Sequence, residues 1–191
     1  MLGNLLLLVL EAVLGFFALL LIARFYMQWS RVSFRNQIGH FVTALTDWVV
    51  LPTRRVIPGL LGLDLASLIP AWLAESVLVF AEFWLRGFSF GSSFGVATVL
   101  ILAVGLIETV RLFVFLMIGV VLISAVMSWV NPYSPFAPLF NALARPFLRP
   151  LQRVIPTVSN IDLSPLVLLL LFQIVLMLLA TLRAAIVPFI A

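Results

Sequence analysis

The sequence predicts an all-α membrane protein: four transmembrane helices built as two parallel repeats, each a span, an interfacial amphipathic helix and a second span. Three observations predict it. First, the 191-residue chain is 64% hydrophobic and 9% charged, with a mean hydropathy of +1.28, whereas soluble domains carry about 25% charge. A soluble fold of this size leaves too much surface exposed to hide that apolar content. Second, four apolar runs reach the roughly 20 residues that cross a hydrocarbon core. Third, one unusual phrase occurs twice, as PTRRVIPGLLGLDLASL from Pro52 and as PLQRVIPTVSNIDLSPL from Pro150.

The four runs cover residues 5–27, 65–85, 95–130 and 166–187. The first has no basic flank and no small-residue cleavage pattern, so it reads as a retained span and not a leader. The third is long: as one helix it extends about 50 Å. A break at Gly105 is expected, leaving a true span over 106–129.

Between the spans of each pair lies a basic segment too short and too mixed to cross. In the first, Phe41, Leu45, Trp48 and Val49 recur at helical spacing, with Thr43, Thr46 and Asp47 opposite. In the second, Phe136, Leu139, Phe140, Leu143 and Phe147 form one face, with Asn141 and Arg145 off it. Both fit short helices in the headgroup region. Ser134 is the expected N-cap of the second, with Pro135 at its first turn.

The repeat extends beyond the shared phrase. Met27–Trp29 (MQW) matches Met127–Trp129 (MSW), and Glu75 falls where Gln173 does. The chain divides into a first repeat over 1–85, a connection over 86–101 and a second repeat over 102–191. Each repeat holds two spans, so both enter and leave the membrane the same way, and their pseudo-two-fold axis runs along the membrane normal.

Arginine placement gives the orientation. Arg31, Arg35, Arg54 and Arg55 lie in the first connection and Arg145, Arg149 and Arg153 in the third, against Arg86 alone in the second. The positive-inside rule puts the basic connections, 30–64 and 131–163, in the cytoplasm and both termini outside. All of the positive charge is arginine. In so apolar a chain it points to anionic lipid headgroups and not to nucleic acid.

Cysteine is absent and His40 is the lone histidine. That excludes disulfides, thiol catalysis, a histidine-based triad and any multi-histidine metal site. No cofactor is implied, and no credible nucleophile–base pair is in view, so an enzyme is not expected.

The residues that remain fall into three groups. Arg54, Arg55, Arg145, Arg149, Arg153, Trp129 and Asn131 are expected to meet lipid or a partner protein. Pro58 and Pro156 end the Arg-Val-Ile-Pro turns, and Pro150 belongs to the second phrase. Asp64 and Asp162 precede the second and fourth spans as N-terminal caps. They are expected to pair with Arg55 and Arg153. Ser164 is a second candidate cap, with Pro165 at the first helical position.

The third group is intramembrane: Glu11, Glu75, Glu82, Glu108, Arg111 and Gln173, with Arg183 near a span end. A charge at a helix centre costs about 2.5–3.5 kcal/mol on insertion scales, so these side chains need partners. Glu108 and Arg111 are spaced to pair. Glu75 and Glu82 share a face. Gln173 is placed to hydrogen-bond across helices.

The stretch from Met127 to Gln173, MSWVNPYSPFAPLFNALARPFLRPLQRVIPTVSNIDLSPLVLLLLFQ, resembles the signature of the YggT family of small bacterial membrane proteins, with relatives in cyanobacteria and plastids. The likeness rests on Trp129, Asn131, Pro132, Pro146, Pro150, Arg153, Pro156, Asp162, Ser164, Pro165 and Gln173. It is weaker over 27–75, where Trp-Asn-Pro is missing, Asp-Leu-Ala-Ser replaces Asp-Leu-Ser-Pro and Glu75 replaces glutamine. The resemblance implies a bacterial inner-membrane protein linked to osmotic-stress tolerance and potassium uptake. Its plastid and cyanobacterial relatives imply roles in cytochrome-complex maturation and in membrane and nucleoid organisation. It implies no enzyme activity. The leading expectation is a scaffold or assembly factor that binds other membrane proteins, with a second copy of the chain as another partner. The competing expectation is a channel or an accessory to ion uptake.

Overall fold

A computed structural model describes residues 2–57, 59, 63–87, 94–131, 133–155 and 162–189. Among them, four helices are long and apolar enough to cross a membrane: Gly3–Trp29, Leu65–Leu85, Gly95–Ser128 and Ser164–Ile186. The all-α membrane fold expected from composition is the fold observed.

The first span is not one regular helix. Helix α1 (Leu2–Leu10) passes through a π-helical turn, Glu11–Gly15, into α2 (Phe16–Trp29). The widened turn carries the first intramembrane acid, Glu11. Such turns inside α-helices recur at functional sites. Helix α2 ends in a Schellman motif: the Val32 N–H donates to the Met27 carbonyl at 2.9 Å and the Arg31 N–H to that of Gln28 at 3.0 Å. Arg31 takes the left-handed position with φ 53°. Glycine usually fills that position, and an L-residue there costs about 1–2 kcal/mol.

Helix α3 (Gln37–Val56) is the first amphipathic helix. Asn36 caps it, its side chain accepting from the Gly39 N–H at 2.7 Å. The face turned to the bundle is Gly39, Val42, Thr46 and Val50. Thr46, expected on the outer face, is therefore inside, because it hydrogen-bonds a buried arginine. Phe41, Leu45 and Trp48 are exposed on the other side, with the Trp48 ring resting against Phe17. That is the arrangement an interfacial helix needs, with one stripe for the bundle and one for the acyl chains.

Helix α4 (Leu65–Leu85) and helix α5 (Phe94–Val130) pack closely. Helix α5 runs unbroken for 37 residues, so the break expected at Gly105 does not occur. Gly105 has another use. A Cβ there would collide with the Ser76 side chain and stand 2.8 Å from Ser76 Cα. The missing side chain lets two helix backbones approach, the small-residue packing favoured between membrane helices. Trp72 Nε1 also donates to the Leu102 carbonyl across this contact, at 2.9 Å.

The length of α5 serves two partners. Its N-terminal half meets α4 through Ile101, Val104, Val79 and Phe83. Its C-terminal half meets α7 (Ser164–Ile186) through Val114, Met117, Val121, Leu168 and Phe172.

Helix α6 (Ala137–Gln152) is the second amphipathic helix. It begins two residues after the expected start. Phe136 is the N-cap residue and makes no side-chain capping bond, while Pro138 falls in the first turn. Ser134 Oγ instead accepts from the Phe136 N–H at 3.4 Å in the turn before the helix. The buried face is Leu139, Leu143, Ala144 and Leu148, close to the face the spacing predicted. The Tyr26 hydroxyl donates to the Leu143 carbonyl at 2.6 Å and ties α2 to α6 across the repeats. Around it Phe113, Phe147 and Phe172 form an aromatic core.

Candidate functional site

Each amphipathic helix is latched twice, and the latches recur between the repeats. The first joins it to the preceding span. Arg24 on α2, 5% exposed, donates to Thr46 Oγ1 at 2.8 Å and to Asp47 Oδ1 at 2.7 Å. Ser124 on α5, 100 residues later in sequence, donates to Asn141 Oδ1 on α6 at 2.6 Å. A charged clamp in one repeat is a neutral one in the other.

The second latch joins the end of each amphipathic helix to the mouth of the next span. Arg54 Nη2 stands 2.7 Å from Asp64 Oδ2, and Ser67 Oγ donates to the same oxygen at 2.6 Å. In the second repeat Gln152 Nε2 donates to Asp162 Oδ2 at 2.8 Å. The expected partners, Arg55 and Arg153, are one residue off in both copies. A one-residue step along a helix turns the side chain by about 100°, and neither Arg55 nor Arg153 pairs with its aspartate among the described residues.

Asp162 also accepts from the Ser164 N–H at 2.8 Å, as a cap should. Ser164 is the first residue of α7, not its cap, and Pro165 lies in the first turn. Partial burial acts to raise the Asp162 pKa. The bonds from Ser164 and Gln152 outweigh it and hold the carboxyl below its ordinary value.

At the other end of the bundle, Glu11, Glu75, Glu82, Glu108, Arg111 and Arg183 line one cavity of about 290 Å³. Arg183 of α7 bridges two acids, with Nη2 2.6 Å from Glu82 Oε2 and Nε 2.9 Å from Glu108 Oε1. Arg86 stands 2.8 Å from Glu82 Oε1 on the outer side. The expected Glu108–Arg111 pair forms at 3.3 Å, and the Arg111 guanidinium lies 5.7 Å from the Phe115 ring centroid. The cluster binds α4, α5 and α7 together through charge. Glu75 differs: it is 8% exposed and makes no ion pair or hydrogen bond among the described residues.

Gln173 does not take the role expected of it. It lies exposed on α7 and donates no hydrogen bond among the described residues. Helix α4 sits between α2 and α5, so Glu75 turns inward. Helix α7 is peripheral, and its equivalent position faces out.

The eleven arginines sort clearly. Arg24, Arg54, Arg86, Arg111 and Arg183 have ion pairs. Arg31, Arg35, Arg55, Arg145, Arg149 and Arg153 are exposed and have none among the described residues. Asn131 is exposed at the end of α5, its N–H donating to the Met127 carbonyl at 3.1 Å. Pro150 lies inside α6, as Pro52 lies inside α3. Pro58, Pro132 and Pro156 lie outside the described residues, as does the side chain of Trp129.

Two residues matter more than sequence reasoning suggested. Arg24 lies inside the first apolar run, 5–27, and a charge within a span is itself the signal that could have marked it as needing a partner. Arg31 reads as one basic charge among several, and nothing local marks its left-handed backbone.

Comparison with known proteins fits this architecture. YggT of Escherichia coli strain K12 is 34% identical over 173 residues, covering 90% of this chain and 87% of its own length. An uncharacterized protein of Pseudomonas aeruginosa is 31% identical, covering 83% of this chain and 79% of itself. One from Vibrio alginolyticus is 33% identical, covering 80% of each. No solved structure matches. The CCB3/YggT family model matches residues 3–91 and again 103–183, stretches that hold the two sets of latches; the chain belongs to the CCB3/YggT family.

Proposed function

We propose that the protein is a non-enzymatic scaffold or assembly factor for membrane protein complexes, seated in a bacterial inner membrane with its amphipathic helices on the cytoplasmic face. One observation carries this reading. The latches hold α3 and α6 rigidly while leaving Arg55, Arg145, Arg149 and Arg153 exposed and unpaired. Fixed, desolvation-ready arginines suit docking to acidic partner surfaces and anionic headgroups. The half of the bundle next to these helices is filled by Tyr26, Met117, Val121 and Phe172, which argues against a continuous pore. A growth defect under osmotic stress is the expected physiological readout.

Isolation of the tagged chain from its own membranes under mild detergent tests the reading. A stoichiometric heterologous partner, lost in Arg153→Ala, supports it. A homo-oligomer with no partner overturns it.

Glu75 favours a second reading, an accessory role in ion uptake. An acid nine-tenths buried in the lining of a polar cavity, with no ion pair or hydrogen bond among the described residues, is a default functional site within a membrane. The chain has no cysteine, so a single Cys at position 75 reports water access directly. Rapid labelling supports ion handling there, and protection supports a purely structural acid.

A further inference from the structure

The turn after α2 and the outer face of α6 enclose a second polar cavity, of about 490 Å³, lined by Ser30, Arg31, Ser33, Arg145 and Arg149 among others. Three of the six arginines that lack ion pairs converge on it, and no acid lines it. We propose that it binds the phosphate of an anionic phospholipid headgroup.

The chemistry is that of phosphate recognition. Planar guanidinium forks meet phosphate oxygens in pairs, and the exposed Ser33 hydroxyl adds a neutral donor. Arg145 and Arg149 are four residues apart on α6, so they project from one face and repel each other while the cavity is empty. A dianion or monoanion between them removes that repulsion.

The backbone supplies an independent argument. Arg31 occupies the left-handed C′ position of a Schellman motif, where glycine would be unstrained. Strain held at one residue is expected where its side chain is needed. Repeat symmetry points the same way. Asp47 and Leu51 stand on α3 where α6 has Arg145 and Arg149, and Asn131 stands where the first repeat has Arg31. The cavity is therefore built once, from both repeats. Its source of phosphate is lipid, because α6 is amphipathic and lies where bundle meets headgroup. The inference rests on that placement of α6 and not on any protein partner.

The test uses the purified full chain in neutral detergent, titrated with phosphatidylglycerol, with phosphatidylcholine as the uncharged comparator. Native mass spectrometry reads bound lipid and thermal unfolding reads stability. Wild type is expected to retain phosphatidylglycerol selectively. Arg31→Gly and Arg149→Ala are each expected to weaken retention about tenfold, the loss of one charge-assisted contact. Arg35→Ala, exposed but outside the cavity lining, is expected to bind as wild type. Arg31→Gly should unfold in lipid-free detergent at the wild-type temperature or above, which separates lost binding from lost structure. Equal weakening in Arg35→Ala, or full retention in Arg31→Gly, overturns the site. Displacement of the lipid by inorganic phosphate at equal concentration overturns the lipid as its ligand.

Discussion

Arg54 and Asp64 meet at 2.7 Å across the turn that joins α3 to α4, and the carboxylate end of that pair is only 2% exposed while the guanidinium end is 41% exposed. The same turn in the second repeat is held by Gln152 and Asp162 at 2.8 Å. One fold position thus uses an ion pair in one copy and a neutral amide in the other.

The two latches should differ in cost when broken. Arg54→Ala leaves the buried Asp64 carboxylate without a counter-charge and with the Ser67 hydroxyl as its remaining side-chain donor, so a loss of about 1–3 kcal/mol is expected. Gln152→Ala should lose about 0.5–1.5 kcal/mol, because the bond it removes is a neutral amide's, at an exposed position, and Asp162 keeps its Ser164 bond. Arg54→Gln should recover much of the first loss. Thermal unfolding of the three variants checks the order; equal losses would contradict it.

Acid should weaken the second latch. The Asp162 pKa is lowered in the folded chain. Its stabilisation is therefore complete above the unfolded value, about 3.9, and is lost as pH falls through the folded value. The stability gap between wild type and Asp162→Asn should be constant from pH 7 to 5 and close below about pH 4. A gap that instead closes on going to alkaline pH would refute the assignment.

The Arg183 clasp should outweigh Arg111. Arg183→Met leaves Glu82 and Glu108 facing each other across α4 and α5, whereas Arg111→Met leaves Glu108 its contact with Arg183. The first variant should be less stable than the second by about 1–2 kcal/mol, given that partial exposure moderates a buried-pair loss. Restoring neutrality with Glu82→Gln in the Arg183→Met background should return part of it, and an additive double mutant would show that the charges do not interact.

Gly105→Ala should destabilise by about 1–3 kcal/mol, as overpacking does. Ser76→Ala should not rescue it, since the closest backbone obstacle is Ser76 Cα at 2.8 Å. Restoration of wild-type stability in the double variant would place the clash at the hydroxyl alone.

Much of the fold was legible because bilayer thickness imposes a length and a composition on each span, and because the repeat displays its own boundaries. The Glu108–Arg111 pair and the shared face of Glu75 and Glu82 followed from helical geometry. The failures have physical causes. Gly105 read as a break because propensity ignores interhelical packing, which here requires the missing Cβ. The aspartate latches were misassigned by one residue because the end of a helix sets which side chain faces the turn, and that phase is not visible in a motif. Gln173 read as an internal polar group because its copy, Glu75, is one; the second repeat sits at the edge of the bundle and turns that position outward. The strained backbone of Arg31 left no local trace in sequence.

The central claim is that the layer of latched amphipathic helices docks another membrane protein. Photocrosslinking in intact membranes tests it most directly, with the reactive residue placed in turn at positions 55 and 153 on that layer and at Met177 on the outward face of α7. The account predicts one discrete heterologous adduct shared by positions 55 and 153 and absent from 177. Adducts to lipid alone at positions 55 and 153, or an identical adduct from all three, would contradict it.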